Sequence, residues 1–330
     1  MARRVLLRLL CLLLAAGLLT GCVRYSGELQ TGIPDVQFPG RQTPPPTLLP
    51  DDTLPASADS FREAYGSAGL LAWPCVLYSI YLDSPYACWT DEQIALTQRR
   101  LAEAADWITE QAGRYNASPR LYYDTGDGRL SARVTCTTPL DADNTSGDAF
   151  YDYVDTLTAA VDTDALRAAY GTAGIGYLIF LPFEGCSYSI LHYLEDGENY
   201  LNEFSCLYLY DPYVEPGTPE SPAVYAHEIL HLFGAADLYE GSSDPYVTPE
   251  LAAYVAQTWP DAIMYDTYNA DGTVGGEEID KSLCPLTAFR LGLCDRFPGM
   301  ERFPDATADP PGVYTMEGRG AGNWETGQAA

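Results

Sequence analysis

Apolar positions along the chain change period several times, and each change marks a predicted element. Behind Thr90-Asp91-Glu92-Gln93, which has the form of a capping box, Ile94, Leu101, Ala105 and Ile108 recur at helical spacing until Gly113. Phe150, Val154, Leu157 and Val161 predict a second amphipathic helix. Residues 120–124 and 130–135 are rich in strand formers on either side of Gly126-Asp127-Gly128, so they read as a hairpin or as two successive strands. Three more strands are predicted at the continuous apolar run 177–183, at 187–193 and at 204–210. Ser221 as cap, Pro222 at the first position and an apolar body of Ala223, Val224, Ala226, Ile229, Leu230, Leu232 and Phe233 then predict a helix that Gly234 ends. Thr248-Pro249 opens another helix that runs through Val255, and Pro285 to Leu291, closed by Gly292, forms the last.

Outside these segments the composition changes. Residues 1–21 carry Arg3, Arg4 and Arg8 around an apolar run through Leu19, which is a targeting segment rather than fold. It ends in Leu19-Thr20-Gly21-Cys22, which resembles the bacterial lipoprotein box. That resemblance implies cleavage before Cys22, a lipid on its thiol, and an exported protein anchored to the cell membrane and facing away from the cytoplasm. Residues 22–60 are rich in Pro, Thr, Gly and Asp, with Pro44-Pro45-Pro46 at their centre, and read as an extended tether. The globular domain is expected over 61–295, with a loose Pro- and Gly-rich tail over 296–330. With 47% hydrophobic residues in 330, there is ample material for a packed core. A formal charge of −28 argues against nucleic acid or an anionic membrane surface as partner, because phosphates need Lys and Arg to neutralise them.

The chemistry concentrates in the helix that Ser221 opens. His227 and His231 lie four apart, so both imidazoles fall on one face and can hold one metal ion, with Glu228 beside them. Gly234 can take the left-handed conformation that reverses the chain, and Asp237, three residues on, can return as third ligand. Three protein ligands leave the fourth position to water, the arrangement of a catalytic Zn2+. Glu228 would take the proton of that water as general base and return it to the leaving amine. A glutamate on a following helix resembles the arrangement of the gluzincin peptidases, which implies Glu250 as a rival third ligand, although a glutamate in a first helical turn is also what the helix dipole selects.

His227-Glu228-x-x-His231-x-x-Gly234-x-x-Asp237 resembles the metzincin zinc peptidases, in the aspartate form of the snapalysin and immune-inhibitor-A-like groups. Asp237-Leu238-Tyr239 is similar to the continuation in the latter, and Asp261 to Asp266, centred on Met264, looks like the family's methionine turn. The resemblance implies an α+β fold with a mixed sheet, an active-site helix and that turn below the metal. It further implies a zinc-dependent endopeptidase, a protein or peptide substrate paired along an edge strand at 187–194, and a side-chain pocket lined in part by Trp259 to Tyr265. His192, inside that strand, reads as a strand or pocket residue. Tyr265 and Tyr268 are candidates, by position, for stabilising the oxyanion. The alternative is a catalytically silent zinc-containing lipoprotein that binds a protein or glycan in the same groove. With Cys11 and Cys22 set aside, Cys75 with Cys88 and Cys186 with Cys206 are the expected disulfide pairs; Cys284 with Cys294 is disfavoured, because a straight helix would hold them apart.

Overall fold

The computed structural model describes residues 66–190, 203–244, 246–269 and 272–307. The targeting segment, Cys22, the tether, His192 and residues 308–330 lie outside the described residues. Six strands form one mixed sheet: β1 (Cys75–Asp83), β2 (Leu121–Tyr122), β3 (Ser131–Thr135), β4 (Gly174–Glu184), β5 (Tyr188–Ile190) and β6 (Phe204–Tyr210). Their order is β2-β1-β4-β6-β5, and β3 pairs with β1 further along the same side as β2. All pairings are parallel except that of β5 with β6.

Segments 120–124 and 130–135 are therefore two successive strands on one neighbour and not a hairpin. Between them Asp124 Oδ1 accepts the backbone N–H groups of Gly126, Asp127 and Gly128, which ties the chain into a compact loop. The central strand β1 has no counterpart among the predicted elements. All nine of its residues are buried, so it lacks the polar alternation that marks a half-exposed strand.

Parallel strands need crossovers, and six helices supply layers on both faces of the sheet. These are α1 (Asp91–Gly113), α2 (Asp148–Ala159), α3 (Thr163–Tyr170), α4 (Pro222–His231), α5 (Pro249–Thr258) and α6 (Pro285–Arg290) among the described residues. The strand period of two divides the apolar residues between two cores. Leu77, Tyr81, Leu178, Phe180, Leu207 and Leu209 face a first core with α1, α4, α5 and α6. Val76, Tyr78, Ile80, Leu82, Ile179 and Cys206 face a second core with α2 and α3. The α and β content and the mixed sheet are as expected.

Helix α1 begins with the full capping box of Thr90 and Gln93. Helix α3, which the apolar pattern does not announce, is opened by Asp162, whose carboxylate accepts the Ala165 N–H (2.9 Å), and closed by Gly171 at φ +64°.

Two expectations are corrected. Neither Cys75 with Cys88 nor Cys186 with Cys206 forms a disulfide. Cys75 starts β1 and Cys88 follows its far end, and a nine-residue strand separates its termini by about 25 Å, well beyond disulfide reach. Cys206 pairs with Tyr188, which leaves Cys186 two residues out of register. The packed domain also continues past Asp295, since Phe297, Phe303 and Ala306 are buried in the first core and 304–307 forms a 3-10 turn. Three apolar anchors among prolines are enough to dock a segment whose composition reads as a tail. Among the described residues no helix is long and apolar enough to cross a membrane.

Candidate metal centre

Helix α4 sits between the sheet and α1, with Ala226, Ile229 and Leu230 fully buried. The Ser221 hydroxyl accepts the Val224 N–H (3.4 Å) and Pro222 occupies the first turn, as the cap signals require. Gly234 adopts φ +97°, a conformation that a side chain would strain, and it turns the chain back along the helix. That reversal brings Asp237 against both imidazoles.

His227 Nε2 and His231 Nε2 lie 3.1 Å apart. Asp237 Oδ1 is 3.0 Å from the first and 3.3 Å from the second. Tetrahedral zinc bonded at about 2.0–2.1 Å to three such atoms holds them about 3.3 Å apart, so the triangle has the dimensions of a ligand set. The opposite ring nitrogens explain its chemistry. His227 Nδ1 lies 3.0 Å from the Ile263 carbonyl and His231 Nδ1 lies 2.8 Å from the Ala235 carbonyl. A carbonyl only accepts, so each Nδ1 carries the proton and a neutral ring turns a lone pair inward through Nε2. Asp237 Oδ1 is buried without a hydrogen-bond donor. Three electron-rich atoms converging on one point fit a cation.

The charge of Asp237 sets the local potential. Burial opposes charge on His231, yet the carboxylate beside it lifts the imidazole to about 10, so Nε2 attracts a proton as it would a cation. Burial likewise opposes the Asp237 carboxylate, and the two imidazoles, His231 foremost, hold it well below the usual carboxylate range. The side chains keep 10% (His227), 11% (His231) and 19% (Asp237) of their surface, so the centre is enclosed but reachable from solvent.

Around the triangle stand further groups. The Tyr239 phenol donates to Asp237 Oδ2 (2.7 Å), leaving Oδ1 to face the imidazoles. Glu228, adjacent to His227 and buried, receives the Ser189 hydroxyl on Oε2 (2.8 Å), and its carbonyl oxygen lies 3.0 Å from both Ser189 Oγ and Ser205 Oγ. Glu220, one residue before the Ser221 cap, is buried, and its carboxyl is pushed well above the usual range by burial first and by the charge of Asp211 second. No local signal marks Ser189 or Ser205, each a single hydroxyl in a strand. Tyr239 belongs to the Asp237-Leu238-Tyr239 run that carries part of the resemblance.

The remaining predicted residues divide. Met264 is fully buried, its carbonyl accepts the Leu238 N–H (2.8 Å), and Tyr265 and Asp266 both bond back to the Ala262 carbonyl, so 261–266 is a tight turn. The carbonyl of its neighbour Ile263 orients His227. Glu250 is exposed, and its carboxylate pairs with Arg302 (2.6 Å), away from the imidazoles. Tyr268 donates to Asp211 Oδ2 (2.7 Å). β5 is the sheet's edge strand, within the expected 187–194. Compared with known proteins, the chain matches no family profile and no curated protein.

Proposed function

We propose that the chain is a zinc-dependent endopeptidase of metzincin type, exported and held at a bacterial membrane by a lipid on Cys22. The observation that carries the reading is the convergence of His227 Nε2, His231 Nε2 and Asp237 Oδ1 within 3.0–3.3 Å. His227, His231 and Asp237 would hold the zinc, which would supply Lewis-acid polarisation of a peptide carbonyl and a more acidic water at neutral pH. Glu228 accepts the proton of the attacking water and delivers it to the nitrogen of the leaving amine, so that one carboxylate serves as base and then acid. The imidazoles stay in one tautomer because backbone carbonyls hold their Nδ1 protons. β5 offers a peptide substrate a strand edge next to the helix that carries the base.

The test is metal content by mass spectrometry on the full chain purified in detergent, wild type beside Asp237→Ala. One zinc per chain that is lost in Asp237→Ala supports the reading, and a wild type without zinc refutes it. Glu228→Gln then separates enzyme from silent binder: it should keep zinc and lose cleavage of a fluorogenic peptide mixture.

A further inference from the structure

We propose that Ser189 positions the general base, holding Glu228 so that one carboxylate oxygen is engaged and the other is left to receive the proton. The inference rests on the peptidase reading and adds a residue to it.

Ser189 lies in β5 directly opposite Ser205 in β6. Its neighbours Tyr188 and Ile190 pack against the second core, so the strand period turns Ser189 to the other face of the sheet, toward α4. The two hydroxyls are 2.9 Å apart and both stand 3.0 Å from the Glu228 carbonyl oxygen. Only Ser189 also reaches the carboxylate, at 2.8 Å from Oε2.

Each hydroxyl has one proton to give. A hydrogen bond to a charged acceptor is roughly twice as strong as one between neutral groups, so the Ser189 proton goes to Oε2. The Ser205 proton then serves the Glu228 carbonyl. That carbonyl is one of the last four of α4, the groups a helix end leaves to outside donors. The two serines thus divide the work: Ser205 satisfies the helix and Ser189 orients the base. Because β5 is the edge of the sheet, a peptide paired along it would rest on the same strand that fixes the carboxylate. Seating of substrate and alignment of base are then coupled through one residue.

The experiment compares Ser189→Ala, Ser189→Thr and Ser205→Ala with wild type in the zinc-loaded full chain. It reads kcat and KM on fluorogenic peptides, and it reads the affinity of acetohydroxamate by calorimetry, which requires no turnover. Misplacing a catalytic group by about 1 Å costs on the order of 100-fold, and loosening one of its bonds should cost about 10-fold. Ser189→Ala should therefore lower kcat about 10-fold at constant KM and weaken acetohydroxamate by a similar factor. Ser189→Thr should restore both, and Ser205→Ala should lower the melting temperature while leaving both near wild type. Equal losses in the two alanine variants would reduce Ser189 to a helix-capping role and overturn the inference, as would an unaffected Ser189→Ala. Wild type without zinc or turnover overturns the peptidase reading and takes this inference with it.

Discussion

Replacing Tyr239 by phenylalanine deletes one atom from the candidate metal centre and keeps the ring. The lost bond is the 2.7 Å donation from the phenol to Asp237 Oδ2. A hydrogen bond to a charged group contributes about 1.5–3 kcal/mol. Partners of metal-ligating carboxylates typically hold a factor of about 10–100 in metal affinity, or about 1.4–2.7 kcal/mol. Two features of the site place the expectation at the lower end. The Asp237 side chain keeps 19% of its surface, so water can replace part of the lost bond. An oxygen without its donor is also more basic, which draws a cation slightly more strongly. We expect the zinc dissociation constant to rise about 10-fold, measured by competition with a chromophoric chelator at fixed pH. The melting temperature of the chelated protein serves as control and should fall by only the several degrees that one such hydrogen bond supports. An unchanged zinc affinity in a folded Tyr239→Phe protein would refute the assignment of Asp237 as a ligand oriented by the phenol.

Gly234→Ala forces a side chain into φ +97° and should cost about 1–2 kcal/mol of stability, with weaker zinc binding because the return of Asp237 depends on that turn; a melting temperature equal to wild type would refute the strain. Glu220 gives a pH test. Its folded pKa is raised above the usual 4.5, so the folded chain keeps a proton that the unfolded chain releases. The resulting stability is fully present below the unfolded value and is lost as pH rises through the folded one. Thermal melts of wild type should therefore fall across that window, while Glu220→Gln should melt with a flatter profile and gain on wild type at neutral pH; parallel profiles would sink the assignment.

What could be read from sequence followed the range of the interaction. Strand β6 and helices α1, α4 and α5 announce themselves through apolar period and local caps, which neighbours along the chain decide. The positions of His227, Glu228, His231 and Asp237 come from one helix and one turn, so spacing alone brings them together. Ser189 and Glu228 are 39 residues apart, and their contact exists only because β6 lies between β4 and β5. β1 escapes notice because burial on both faces leaves it no alternation and Ser79 interrupts its apolar run, whereas the equally buried β4 shows an unbroken one. The disulfide expectation failed for the opposite reason. Cys75 and Cys88 are close in sequence but not in space, because the extended strand β1 intervenes.

The two imidazoles are aimed by the carbonyl oxygens of Ile263 and Ala235. Every amino acid carries that oxygen, so the aim of both rings is indifferent to which side chains stand at 263 and 235. Substitution there leaves the tautomers untouched as long as the backbone keeps its course. The apparatus that aims the two rings is thus written in chain path, and letter-by-letter comparison reads only the few positions whose side chains converge. Divergence can proceed far across such a domain before its chemistry feels it, and kinship in a centre of this kind is better sought in the spacing of donor atoms than in the identity of the residues around them.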